Sequence, residues 1–197
     1  MSRVANYAGV IPSAGTSVRM GRPKALLPVN GETFVRRTVG ALRTGGCEPV
    51  CVVVAEGEGS LAAEAEAAGA SVLLNPAPGE GPITSLRVAL AALGDSVAGL
   101  VYLPVDHPMV RSDTVAKLLD AARASDALLT VPMYEGKRGH PAVFGRALFV
   151  ELAEPALQGG ARTVVHRHLP EALLVEVDDA GVLTDIDTPE AYAAALG

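Results

Sequence analysis

Residues 9–29 read Gly9-Val-Ile-Pro-Ser-Ala-Gly-Thr-Ser-Val-Arg-Met-Gly-Arg-Pro-Lys-Ala-Leu-Leu-Pro-Val29. The stretch begins inside an apolar run, Val4 to Ile11, in which Asn6 is the one clearly polar residue; this suits a buried first strand. From Pro12 to Ser17 the residues are small or turn-forming, so the backbone can bend sharply and bring its N–H groups close to a ligand. Three cations, Arg19, Arg22 and Lys24, then follow within six residues. A glycine-bearing turn followed at once by fixed positive charge is what a polyphosphate needs, since Arg offers a planar fork and Lys a compact point charge. Ser13, Ala14, Gly15, Thr16, Arg19 and Lys24 are therefore the expected nucleotide-binding residues, with Arg19 and Lys24 also expected to act in catalysis.

Two familiar phosphate motifs fail here. A Walker loop needs Gly-Lys-Ser/Thr at a fixed distance after its first glycine, and neither Gly15 nor Gly21 provides that. The dinucleotide fingerprint fails as well, because Gly15 and Gly21 stand six apart with no third glycine in register. The order Ser13-Ala-Gly-Thr-Ser-Val-Arg19-Met20-Gly21-Arg-Pro-Lys24-Ala-Leu-Leu-Pro28 instead resembles the signature loop of the MobA-like NTP transferases. These are the nucleotidyltransferases that activate molybdenum cofactor, sugar phosphates and methylerythritol cytidylyl precursors.

Working outward, apolar residues at helical spacing from Glu32 to Arg43 predict a helix stopped by Gly45-Gly46. Val50 to Ala55 and Ala70 to Leu74 read as strands on either side of an alanine-rich helix, Leu61 to Ala68. Such β-α-β-α-β alternation predicts an α/β fold with a mostly parallel sheet and ligands at the carboxyl ends of its strands. The turn-rich loop Asn75 to Pro82 precedes a helix from about Ile83 to Leu93, with Thr84 and Ser85 in its opening turn. Either hydroxyl could meet a base or ribose, and ordinary capping explains either one as well.

Gly99 to Val105 reads as a central strand that ends in Asp106-His107-Pro108. A carboxylate at a strand's carboxyl end, beside the basic loop, is well placed to hold Mg²⁺ against phosphates, although strand-terminal Asp also commonly caps a turn. Further elements follow: a helix from Asp113 to Arg123, a strand from Ala127 to Met133, and the cationic segment Gly136-Lys-Arg138-Gly-His140-Pro141, which leads into apolar Pro141 to Phe144. For Lys137 a solvated hairpin is a serious competitor; Arg138 and His140 are read as acceptor-binding. His166 and His168, two apart on a helix from Arg162, point to different faces and read as surface residues. After a strand from Leu173 to Val177, Asp185-Ile186-Asp187-Thr188-Pro189-Glu190 places two acids on one side of an alternating stretch before a last helix.

The chain has 197 residues, 49% hydrophobic and 19% charged, with net charge −6. One domain spanning 1–197 is expected. The acidic balance disfavours nucleic acid or an anionic membrane as a partner. No secretory signal pattern or membrane-length apolar run is visible, so a cytoplasmic location is expected. Cys47 and Cys51 have no companion pair, which makes a zinc site improbable.

The resemblance extends to four separated elements. Asp106-His-Pro resembles the family's Asp-x-Pro element, Arg138-Gly-His-Pro one found in the molybdopterin cytidylyltransferase branch, and Asp185-Ile-Asp-Thr-Pro-Glu the family's closing element. Gly81, Pro82 and Ser85 resemble the segment that helps select the nucleobase, and the Gly81-Pro82 pair leans towards the guanylyltransferase branch. The resemblance implies a Rossmann-like three-layer α/β/α sandwich of the nucleotide-diphospho-sugar transferase type. It also implies Mg²⁺ on Asp106 and Asp187, with Asp185 as second choice, and nucleotidyl transfer from CTP or GTP. The phosphorylated acceptor would be molybdopterin first, contacted by His107, Arg138 and His140, with hand-over of the product to a molybdoenzyme or its chaperone. A sugar-phosphate acceptor and a non-catalytic nucleotide sensor remain the alternatives. A glycosyltransferase is disfavoured, because its Asp-x-Asp would follow the middle strand, where this chain has Asp106-His107-Pro108.

Overall fold

The computed structural model describes residues 5–15, 23–95 and 97–196. Its elements run β1 (Tyr7–Pro12), β2 (Pro28–Val29), β3 (Glu32–Thr33), α1 (Phe34–Thr44), β4 (Val50–Ala55), α2 (Gly59–Ala67), β5 (Ser71–Asn75) and α3 (Pro82–Leu93). They continue with β6 (Gly99–Tyr102), α4 (Ser112–Arg123), β7 (Leu129–Tyr134), β8 (Lys137–Arg138) and β9 (Ala142–Gly145). The chain closes with α5 (Phe149–Ala153), α6 (Ala161–His168), β10 (Leu173–Glu176) and α7 (Pro189–Leu196).

Among the described residues an eight-stranded sheet has the order β10-β7-β9-β6-β1-β4-β5, with β8 paired to the end of β7. β1 runs parallel to both β4 and β6, β4 to β5, and β7 to β10; β9 is antiparallel to both its neighbours. The continuous apolar runs follow from burial on both faces. Successive side chains point to opposite faces, so each strand feeds two cores. Ile11, Val52, Val54 and Val101 pack with α1 and α4 on one side, while Ala8, Val10, Val53 and Leu100 pack with α3, α5 and α6 on the other. That is the three-layer sandwich. None of the helices described is long and apolar enough to cross a membrane.

The expected helix start at Glu32 is corrected to Phe34. Glu32 and Thr33 instead pair with Pro28 and Val29 around Asn30 (φ 51°) and Gly31 (φ 83°), a turn whose positive φ values favour Asn-Gly. The Thr33 hydroxyl then caps α1 by accepting from the Arg36 N–H.

From β1 the chain steps outward through β4 to β5, then crosses back to place β6 on the other side of β1. The carboxyl ends of β1 and β6 therefore flank the point where the winding reverses, the crevice at which open α/β sheets admit ligands. Because β9 is reversed, with Ala142 opposite Tyr102, the segment entering β9 opens on that same rim. Gly99 keeps the neighbouring strands close: a Cβ there would lie 2.5 Å from both the Phe144 carbonyl oxygen and the Tyr7 ring. Gly99→Ala is expected to destabilise the fold by about 1–3 kcal/mol, as overpacking against backbone does. A lowered urea midpoint measures this, and an unchanged midpoint contradicts it.

Candidate active site

The reversal point is built from three distant pieces of chain. Leaving β1, the Ser13 N–H donates to the Val53 carbonyl at 2.8 Å, which fixes where the first loop departs. Ser13, Ala14 and Gly15 line the cavity above the sheet. Thr16 and Arg19 lie outside the described residues. The chain returns through Pro23 into a single 3-10 turn, Lys24–Leu26, held down by buried Ala25 and Leu27. That anchoring aims Lys24 inward. Its ammonium donates to Asp106 Oδ2 at 2.6 Å and to Asp187 Oδ1, joining residues 82 and 163 positions away.

Asp106 follows β6 in a tight turn closed by the His107 N–H on the Pro104 carbonyl. Its second oxygen, Oδ1, lies 3.0 Å from His107 Nδ1, and since an ionised carboxylate only accepts, that nitrogen carries the proton. Burial alone would raise the Asp106 pKa. The His107 hydrogen bond and the Lys24 ammonium outweigh it and hold the carboxyl well below the usual range. For Lys24, burial favours the neutral form, but the attraction and hydrogen bonds of Asp106 and Asp187 win and raise its pKa. Both groups are accordingly charged at neutral pH.

The acidic element near the C-terminus is pinned to the same turn. Ile186, fully buried, donates its N–H to the Asp106 carbonyl at 2.9 Å; on one side of it Asp185 lines the cavity, and on the other Asp187 meets Lys24. Asp185, Asp106 and His107 each bring a donor atom within 4.8 Å of the others. Burial raises the Asp185 pKa, and the neighbouring charges of Asp106 and Asp187 raise it further. Carboxylate oxygens gathered around one point suit a hard divalent cation.

The cavity has a volume of about 990 Å³ and is also walled by Gly81 from the loop between β5 and α3 and by Ser85 from the first turn of α3. Ordinary capping, the alternative reading of Thr84 and Ser85, is not what occurs. Both hydroxyls accept from the Asn75 amide, at 2.8 and 3.0 Å, and Thr84 donates to the Gly81 carbonyl at 2.8 Å. Gly81 itself has φ 99°, which favours glycine. Asn75, 1% exposed, is thus the organiser of this wall, which the sequence showed only as a turn residue.

A second cavity of about 800 Å³ adjoins the first and shares Gly81, Pro82, Tyr102, Pro104 and His140 with it. Arg138 lines the second cavity; Lys137 lines neither. The His140 ring stands edge-on to His107, with centroids 4.6 Å apart, and its Nδ1 is buried without a partner among the described residues. Burial, reinforced by His107 and opposed by Asp106, pushes the His140 pKa down to about 4, so the ring is neutral at physiological pH. Arg162 and His166 on α6 also line this cavity. His166 is exposed, as expected, but its surface is the wall of the cavity. His168 turns away to Glu151.

Residues 9–172 match the model described as MobA-like NTP transferase domain. Nicotine blue oxidoreductase of Paenarthrobacter nicotinovorans is 30% identical over 190 residues, 92% of each chain. Probable molybdenum cofactor guanylyltransferase of Mycobacterium avium is 28% identical over 160 residues, 80% of this chain and 78% of that one. Among solved structures, Rv0371c of Mycobacterium tuberculosis H37Rv has a TM-score of 0.86 at 29% identity and covers 98% of both chains; its complex with manganese scores 0.81 at 28%. The family match takes in the β1 loop, Lys24, Asp106 and the Arg138–His140 segment. The chain belongs to the MobA-like NTP transferase family and is a nucleotidyltransferase.

Proposed function

We propose that this chain transfers a nucleoside monophosphate from a nucleoside triphosphate to a phosphorylated acceptor and releases pyrophosphate. GTP is the first choice of donor, CTP the second, and a molybdopterin the leading acceptor. One observation carries the reading: Lys24, Asp106 and Asp187 come from three remote segments to a single point at the carboxyl end of β6. The relatives named molybdenum cofactor guanylyltransferase support guanine and the acceptor. The manganese complex of Rv0371c supports a divalent ion, for which Mg²⁺ is the proposed physiological choice.

The chemistry asks for charge management rather than a base. A phosphate nucleophile is already ionised at neutral pH, so attack on the α-phosphorus, with pyrophosphate leaving, requires alignment and relief of repulsion. Backbone donors around Ala14 and Gly15, with Arg19 and Lys24, hold the triphosphate. Gly81 and Ser85 border the base, while His107 from the same cavity and Arg138 and His140 from the adjoining one orient the acceptor. Asp106 with Asp187 or Asp185 would hold the divalent ion, which when bound neutralises charge on the α-phosphate and the attacking oxygen.

A second reading has one observation behind it, the relative named an oxidoreductase that aligns over 92% of both chains. It predicts electron transfer between a donor and an acceptor with no pyrophosphate formed. Pyrophosphate release with GTP, CTP, ATP or UTP, with molybdopterin and with sugar phosphates, in the presence of Mg²⁺ or Mn²⁺, separates the readings. Release with GTP and molybdopterin is expected. Nucleotide binding without release for any pair favours a sensor, and reduction of a redox dye without release favours the oxidoreductase.

A further inference from the structure

Asp179 is a buried carboxylate, 4% exposed, that the proposed chemistry leaves unused. It sits at the start of the segment that carries Asp185 and Asp187. Its Oδ2 accepts from the Arg111 N–H at 2.9 Å and from the Thr114 hydroxyl at 2.7 Å, and its Oδ1 accepts from the Gly181 N–H at 2.9 Å. Arg111 is the residue that opens α4, and its own side chain provides no cap. A carboxylate 68 residues further along the chain takes that place, where the helix dipole favours negative charge. The two segments also meet closely: a Cβ on Gly181 would lie 2.2 Å from the Met109 carbonyl oxygen. Beyond this point the segment is tied by the Val182 carbonyl to the His140 N–H, at 2.8 Å, and by the Ile186 N–H to the Asp106 carbonyl.

We infer that Asp179 is a positioning residue. By joining the start of α4 to the turn at Gly181, it sets the register of residues 180–187 and so the distance of Asp185 and Asp187 from Asp106. The inference rests on the proposed placement of a divalent ion at Asp106. Outer groups that orient metal ligands typically change affinity by about 10–100-fold when removed. Asp179→Asn keeps the shape but has one accepting oxygen where the carboxylate has two, so either the Gly181 N–H or the Arg111 N–H loses its acceptor and faces an amide N–H₂, which weakens the join without a cavity.

The test titrates the full chain with Mn²⁺ alone, following free Mn²⁺ by its paramagnetic resonance, well below the melting temperature of each variant. Asp179→Asn is expected to weaken Mn²⁺ binding about tenfold or more, and to raise the metal concentration giving half-maximal turnover while leaving kcat at saturating metal nearly unchanged. The exposed neighbour Asp178→Asn should leave both unchanged. A folded Asp179→Asn protein with wild-type Mn²⁺ affinity overturns the inference, as does an equal loss from Asp178→Asn. If Asp179→Asn fails to fold, Thr114→Val removes one donor only, and a smaller loss in the same direction is expected; no loss overturns the inference. A wild-type chain that binds no Mn²⁺ defeats the metal placement instead. Amide hydrogen exchange over residues 180–188 then decides, since faster exchange in the variant upholds the join and unchanged exchange rejects it.

Discussion

Asp106→Asn is expected to lower kcat/KM for nucleotidyl transfer by about a thousandfold, the upper end of what one preorganised electrostatic contact contributes. The substitution keeps the volume and an acceptor for Lys24 but removes the charge that both Lys24 and His107 face. A divalent ion would lose its central ligand, and Asp185 and Asp187, coming from a different segment, cannot replace it at the end of β6. Stability should change less than activity. The lowered Asp106 pKa means that the wild-type carboxylate contributes stability above the ordinary value of 3.8, which is lost as pH falls below it. Losing that contribution is partly offset by relief of repulsion with Asp185 and Asp187. Steady-state kinetics at saturating metal with a urea titration reads both effects, and a variant that retains more than a tenth of wild-type kcat/KM contradicts the proposed role.

Lys24→Met carries the second large effect. Removing one cation from the phosphate site is expected to lower the rate by about a hundredfold to a thousandfold. The same change leaves Asp106 and Asp187 facing each other without the ammonium that both accept from. Stripping the partner from a buried ion pair costs about 3–5 kcal/mol, and the one-fifth exposure of Lys24 and Asp106 reduces this to roughly 1–3 kcal/mol. A divalent ion can fill that role, so the melting temperature of Lys24→Met should rise with added Mg²⁺ or Mn²⁺ more than that of the wild type. Lys24→Arg is not expected to restore the rate, because a planar fork cannot reproduce a point charge between two carboxylates. Wild-type kcat in Lys24→Met, or equal metal response in the two proteins, contradicts this account.

Local pattern made most of the sheet legible in advance. Val50 to Ala55 and Gly99 to Tyr102 are continuous apolar runs of strand length, as strands covered on both faces require. The direction of β9 was not legible, because an apolar strand reads the same whichever way it runs. α5 spans five residues, too few to show a helical period. The Asn30-Gly31 hairpin did carry its signal, but it was masked by the helix pattern that begins immediately after it. Within the site, Lys24, Asp106 and the 185–187 acids stood out because each sits where a strand or turn concentrates unusual residues. Asn75 and Asp179 did not, since their meaning depends on Thr84 and Ser85, 9 and 10 positions away, and on Thr114 and Arg111, 65 and 68 positions away, which only the fold brings close.

The reversed strand has one more consequence. In an all-parallel sheet each loop at the functional rim leads into a crossover helix. Here β7 and β9 are adjacent, and the connection carrying Arg138 and His140 is a hairpin between neighbours. Growth of such a hairpin adds closure entropy only slowly, about 0.6 kcal/mol per doubling. The ribbon that carries Arg138 and His140, the proposed acceptor contacts, can therefore lengthen while the loop after β1 stays as it is.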